Sequence, residues 1–349
     1  MQSGRRLDSR CILLAAAAGF ISACWLQPAA AAASADETLD PAEAQAQASW
    51  RADIERIEVP ADGCFQATYP NLYWDRVACG VGKPRTHPVP HKAKEGSPET
   101  VGNGHDYAAG VTGLLTKAKG TFPAVTGVTS EKSVGVAAFG DGGILGANEY
   151  SLQVNTNAAS TTSACKSHSG CTVWQQFIYA TDYVTKGEAA IFIQYWLLGW
   201  GDSACPSGFG SDDEGDCYKN SAYTTVPDIK GTDIGAETIS GNAAAGGDDA
   251  VRFLYGTTTY AVNTKDSVLD IASVWKEVEF NVVGDAGGSR ADFNTGSSVT
   301  VKLAVTSGST AAPSCLKSAG TTGETNNLDL GTCTATSGTI PWIEFPESN

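Results

Sequence analysis

Histidine and basic charge are both scarce in this chain: four histidines and 23 lysines and arginines stand against 38 aspartates and glutamates, for a net charge of −15. A surface of that sign repels phosphate backbones and anionic lipid, so neither nucleic acid nor membrane surface is expected as a partner. The histidines are also poorly placed for nucleophilic catalysis. His87, His91 and His105 fall in or beside a Pro- and Gly-rich stretch, and His168, alone in the body of the chain, sits between Cys165 and Cys171. No GxSxG elbow occurs, so a Ser-His-Asp triad would have to be assembled around His168. No CxxC pair occurs either, and no metal or cofactor is expected from the cysteines. Beyond the N-terminus no apolar run approaches the roughly 20 residues of a membrane helix. Without histidine, acid–base work falls to carboxylates, helped by amides.

What is present begins with an export pattern. Arg5, Arg6 and Arg10 precede the apolar run CILLAAAAGFISACWL and the small-residue stretch QPAAAAASA, which together predict a signal peptide over residues 1–35. The ISAC ending at Cys24 is an alternative, a lipoprotein box that would put a lipid anchor on that cysteine. Either way the protein is expected outside the cytoplasm, extracellular or periplasmic. Eight further cysteines follow, an even set suited to an oxidising compartment. They fall into four local couples, predicting the bridges Cys64–Cys79, Cys165–Cys171, Cys205–Cys217 and Cys315–Cys333.

Residues 36–104 read as an N-terminal pro-region or lid with a linker. DPAEAQAQASWRADIERIE predicts a helix behind an Asp cap, and GKPRTHPVPHKAKEGSPETVGNG cannot form a packed core. From about residue 105 the texture changes to Thr, Val, Gly, Ser and Asn, with short runs such as EYSLQVNTN, TVWQQFIYA, AAIFIQYWLLGW, SVWKEVEFNVVGD and SSVTVKLAVT. Runs of β-formers bounded by turn residues predict an all-β domain over 105–349, a two-sheet antiparallel sandwich or jelly roll.

Three of these runs carry a resemblance. EYSLQVNTN, CTVWQQFIYAT and AAIFIQYWLLGWG, in that order, are similar to core strands of the glutamic peptidases, the fungal eqolisins and the plant neprosin type, and SVWKEVEFNVVGDAGGSRADF resembles the eqolisin stretch with the catalytic Glu beside a Trp. GHDYA at 104–108 resembles the entry of the neprosin-type domain, so the resemblance spans roughly residues 104–305. It implies an acid-acting secreted endopeptidase in which Gln175 is the catalytic amide. Aligning Trp275 with the family tryptophan places Val274 where the glutamate belongs, so Glu277 and Glu279 supply the carboxylate through a shifted register. Trp174, Gln153, Tyr195, Trp196 and Trp275 are the accompanying substrate-binding candidates. Successive strand residues face opposite ways, so Gln175 and Gln176 cannot both face one groove, and Gln175 is the expected one.

Two other readings use the same residues, and a third concerns a separate acidic loop. Gln153, Gln175, Gln176 and Gln194 can serve as cross-strand hydrogen-bonding partners on the wetter face of a sheet, in a non-catalytic carbohydrate- or peptide-binding sandwich whose partner is a polypeptide or a glycan. Glu277 and Glu279, about 6.6–6.8 Å apart along one strand face, also suit a jelly-roll retaining glycosidase. The acidic loop GSDDEGDC, 210–217, is rich enough in oxygen for Ca²⁺ but lacks the full EF-hand pattern, and a solvated loop is the plainer account.

Overall fold

In the computed structural model, residues 39–60, 62–81, 106–137, 142–165, 168–201, 204–212, 215–317 and 325–349 are described below. The signal peptide, Cys24, the linker and its histidines, and Asp213 and Glu214 of the acidic loop lie outside them. Residues 42–349 form one compact unit.

The elements run α1 (Pro41–Ile54), β1 (Gly63–Thr68), β2 (Asp75–Val77), β3 (Tyr107–Gly110), β4 (Lys117–Thr126), β5 (Glu131–Gly135), β6 (Gly146–Ala147), β7 (Ser151–Thr156), β8 (Thr172–Ala180) and β9 (Ala189–Leu198). They continue through β10 (Gly210–Ser211), β11 (Cys217–Asn220), β12 (Thr224–Val226), β13 (Glu237–Ala243), β14 (Asp248–Tyr255), β15 (Thr258–Lys265) and β16 (Glu277–Val283). The last are β17 (Ser289–Phe293), β18 (Ser298–Thr306), β19 (Ser314–Lys317), β20 (Thr325–Asn326), β21 (Asp329–Leu330), β22 (Thr334–Thr336) and β23 (Trp342–Ser348). The fold is all-β, as the strand pattern predicts. A back sheet is ordered β2-β1-β15-β14-β13-β4-β18-β23-β21, a front sheet β10-β11-β9-β8-β7-β16-β3-β19, and a small third sheet β20-β17-β5-β6.

Alternation drives the packing. In β18 Val299, Val301, Leu303 and Val305 are buried while Thr300, Lys302 and Ala304 are partly exposed, so one face of the back sheet lines the core. The front sheet presents Val173, Phe177 and Tyr179 from β8, Ile191 and Ile193 from β9, and Val278 and Phe280 from β16 to the same core. Its large rings need space, and glycine provides it. A Cβ at Gly120 would overlap the Phe280 ring, and one at Gly241 would overlap Phe177.

The N-terminal region is joined to this sandwich. β1 pairs along its length with β15, and Trp50, Ile54 and Ala67 pack with Leu254 on the outer face of the back sheet. Glu55 accepts Lys117 and Lys119 at 3.0 Å each, and Gly80 bridges to Tyr223. The sequence predicts a pro-region or lid here without placing it. Its described residues, 41–60 and 62–81, extend and cover the back sheet, because their aromatic and aliphatic side chains find their apolar partners there.

All four predicted disulfides are present: Cys64–Cys79, Cys165–Cys171, Cys205–Cys217 and Cys315–Cys333. They fit an oxidising compartment. No helix among the described residues is long and apolar enough to cross a membrane.

If ring-over-glycine packing sets the sheet separation, Gly120→Ala and Gly241→Ala should each lower unfolding free energy by about 1–3 kcal/mol or more, as overpacked cores do. Chemical denaturation read by tryptophan fluorescence measures this.

Candidate functional site

The two adjacent glutamines of β8 face different worlds. Gln175 points into the sandwich with Val173 and Phe177. It is fully buried, and its Nε2 donates to Asp249 Oδ2 on β14 at 2.8 Å. Asp249 lies beside Asp266, and burial, then the Asp266 charge, hold Asp249 well above the ordinary carboxylate range. Burial raises Asp266 as well. Gln175 therefore ties the front sheet to the back sheet and does not face a groove. The expectation that it does is corrected by the register of β8, which Phe177 fixes from two residues away.

Gln176 takes the outer face, within a row of polar side chains that crosses the front sheet in register. Asn220, Gln194, Gln176, Asn155 and Glu279 stand opposite one another on β11, β9, β8, β7 and β16, and Ala108 of β3 ends the row. Gln194 Nε2 donates to Asn220 Oδ1 at 2.8 Å, and Trp196 Nε1 donates to Gln194 Oε1 at 2.9 Å and Gln176 Oε1 at 3.1 Å. Gln176 Nε2 donates to Gln153 Oε1 at 2.8 Å and Asn155 Oδ1 at 3.1 Å, and Asn155 Nδ2 donates to Glu279 Oε2 at 3.2 Å. One path, from Trp196 through Gln176 and Asn155, runs donor to acceptor onto Glu279, while side branches lead from Asn155 Nδ2 to Gln153 Oε1 at 3.3 Å and from Gln153 Nε2 to Ser151 Oγ at 3.0 Å. Aligned amides of this kind polarise one another, which strengthens the last bond onto the carboxylate. The row is enclosed: Gln176, Asn155 and Glu279 are 3%, 1% and 2% exposed. A small opening of about 10 Å³, room for one water at most, reaches it, lined by Ala108, Asn155, Asn157, Glu277 and Glu279.

Beside Glu279 lies a second cluster. Asn281 Nδ2 donates to Asp106 Oδ2 at 3.0 Å and to Glu347 Oε1 at 2.7 Å, and Asn326 Nδ2 donates to Glu347 Oε2 at 3.3 Å. Burial raises Asp106, with the charges of Glu279 and Glu347 adding to the effect. Burial also pushes Glu347 up to about 7. One amide thus donates to both carboxyl groups, which favours their ionised forms and offsets part of the rise that burial causes.

The other candidates divide. Trp174, Trp196 and Gln153 are on the outer face with the row, Trp174 and Trp196 with ring centroids 6.5 Å apart. Two do not belong there. Tyr195 faces the core and hydrogen-bonds Thr264, since it stands opposite Gln175 and shares its side of the sheet. Trp275 is fully buried against Phe177 at 5.7 Å, and its Nε1 donates to the backbone of Glu277. Glu277 and Glu279 share a face as expected, but Glu277 is exposed at the start of β16. His168 stacks on Trp200 at 3.6 Å. Among the described residues no group of three or more His, Cys, Asp or Glu could hold a metal ion. Asn155, Asp106, Asn326 and Glu347 were not among the sequence candidates. The polar alternation of Gln153 and Asn155 in SLQVNTN was the signal for one of them; Asp106 and Glu347 come from distant ends of the domain.

No protein-family model matches the chain, and no curated protein matches its sequence. Among solved structures, a crystal structure of scytalido-glutamic peptidase with a transition state analog inhibitor is distantly similar. The likeness covers 69% of this chain and 97% of that one, at 11% identity and a TM-score of 0.29, too remote to assign any residue.

Two outcomes follow. Gln175→Ala should cost about 1–3 kcal/mol of stability by leaving Asp249 without its donor, measured by denaturant unfolding. The raised carboxyls also set a pH dependence. Glu347 and Glu149 are raised from 4.5 to about 7, and Glu131 to about 9. Folding therefore retains protons that the unfolded chain loses, and stability is fullest in acid and falls as pH climbs from about 4.5 through 7 and, for Glu131, on to about 9. Glu347→Gln should flatten that fall by on the order of 3 kcal/mol, read from melting temperatures at pH 4 and pH 8.

Proposed function

We propose that this protein is a hydrolase of peptide bonds working in acid, with Glu279 as general base and then general acid and Gln176 as the amide that receives the developing oxyanion. The observation that carries this reading is the cross-strand row, which sets a carboxylate and an amide on one sheet face with one residue between them. Water entering by the opening at Glu279 gives a proton to its carboxylate as the oxygen attacks the peptide carbonyl; the same proton then passes to the leaving amine. Gln176 turns its Nε2 from Gln153 or Asn155 to the carbonyl oxygen as charge builds there. Asp106 and Glu347, neutral in acid, keep further negative charge away from the reacting carbonyl. The resemblance to glutamic peptidases noted in the sequence agrees with this chemistry, with Gln176 in place of Gln175.

The mutual satisfaction of the enclosed amides supports a second reading, a non-catalytic binding sandwich in which the row is structural. Incubating the purified protein with a denatured protein substrate from pH 2 to 7, with pepstatin present, separates the two. Cleavage seen by mass spectrometry, lost in Glu279→Gln and reduced about 10²–10³-fold in Gln176→Ala, is the expected result. No cleavage at any pH, or cleavage unchanged in Glu279→Gln, rejects the proposal.

A further inference from the structure

The outer face of the back sheet holds a cavity that this chemistry does not use. Its volume is about 190 Å³, partly open to solvent, between α1 and strands β4, β13, β14 and β15, below the roughly 300–1,000 Å³ of drug-sized sites and suited to a ligand of a few carbons. Side-chain length explains it. Ser240 of β13 stands in register between Lys119 of β4 and Arg252 of β14, so a short side chain between two long ones leaves a gap that α1 roofs.

The charge here is opposite to that of the whole chain. Arg51, Lys117, Lys119 and Arg252 meet two carboxylates, Glu55 and the exposed Glu58. Glu55 is already committed to both lysines, and the guanidinium of Arg51 is committed to the backbone oxygen of Gly256 at 2.8 and 3.2 Å. Arg252 is less well supplied. Its Nη1 donates to the backbone oxygen of Glu55 at 3.1 Å, its guanidinium lies 5.4 Å from the Trp74 ring, and its Nε, shielded from solvent, has no acceptor. A buried donor without an acceptor is costly, and two surplus positive charges beside it call for an anion. Ile54 and Leu254 add an apolar wall that a bare inorganic ion would not use, beside the hydroxyls of Ser240, Thr238 and Thr259.

We infer that this cavity binds a small organic carboxylate, with its carboxylate on Arg252 and Lys119 and its carbon stem against Ile54 and Leu254. Occupancy joins α1 to the sheet beneath it, so binding stabilises the fold by mass action. The inference is independent of the proposed peptidase chemistry, which lies on the opposite sheet.

Calorimetric titration of the full chain with sodium succinate and sodium malate at pH 6.5, against sodium sulfate and sodium chloride at equal ionic strength, tests it. One saturable site for the carboxylates is expected, with a melting temperature that rises with their concentration. Arg252→Gln should weaken binding by at least about tenfold, the loss of a charge-assisted hydrogen bond. Ser240→Leu, which keeps every cation but fills the gap, should abolish it. Absence of saturable binding, sulfate binding as tightly as the carboxylates, or binding unchanged in both variants would overturn the assignment.

Discussion

Seating the Phe177 ring over Gly241 settles which way every side chain of β8 faces. With Phe177 inward, strand geometry sends Gln175 inward and Gln176 outward. The neighbours follow by register. Tyr195 opposite Gln175 enters the core, and Gln194 opposite Gln176 joins the outer row. A slip of one residue would bury the amide row against Phe253 and Val251 and turn the aromatic core outward, so the fold and the candidate site rest on one packing constraint.

Electrostatics gives the protein a second character. Its interior keeps carboxyl groups that have no cation beside them: Asp249 with Asp266, Asp106 with Glu347, and Glu237 with the Tyr150 hydroxyl at 2.6 Å. Burial raises every one of them. Such groups are inexpensive when protonated and costly when charged, so acid is the condition under which this interior is fully satisfied. The fold and the proposed chemistry favour the same range of pH for related physical reasons.

Much of the fold was legible because it rests on local signals. Turn residues punctuate alternating runs, and each cysteine lies at most 18 residues from its partner, so an all-β sandwich and four bridges could be read directly. The site was legible only in part. That Gln175 and Gln176 face opposite ways follows from strand geometry, but which one faces out depends on Phe177 meeting a glycine on the other sheet, 64 residues later in the chain. Trp275 looked like a subsite residue and is core, since a tryptophan at a strand entrance carries no mark of its side. Asp106, Asn326 and Glu347 converge from three separate parts of the chain, and nothing in their local sequence announces a shared cluster. The N-terminal helix was predicted, but its seat was not, because the apolar outer patch that receives it comes from β1 and β14 together.

The central claim is that Gln176 and Glu279 act as one unit on the outer face. A double-mutant cycle on kcat/KM for acid cleavage, with Gln176→Leu, Glu279→Gln and the double variant, measures this directly. The expected result is strong non-additivity, the double variant being about as impaired as Glu279→Gln alone. Additive losses, or a silent Gln176→Leu beside an inactive but folded Gln175→Leu, would contradict it.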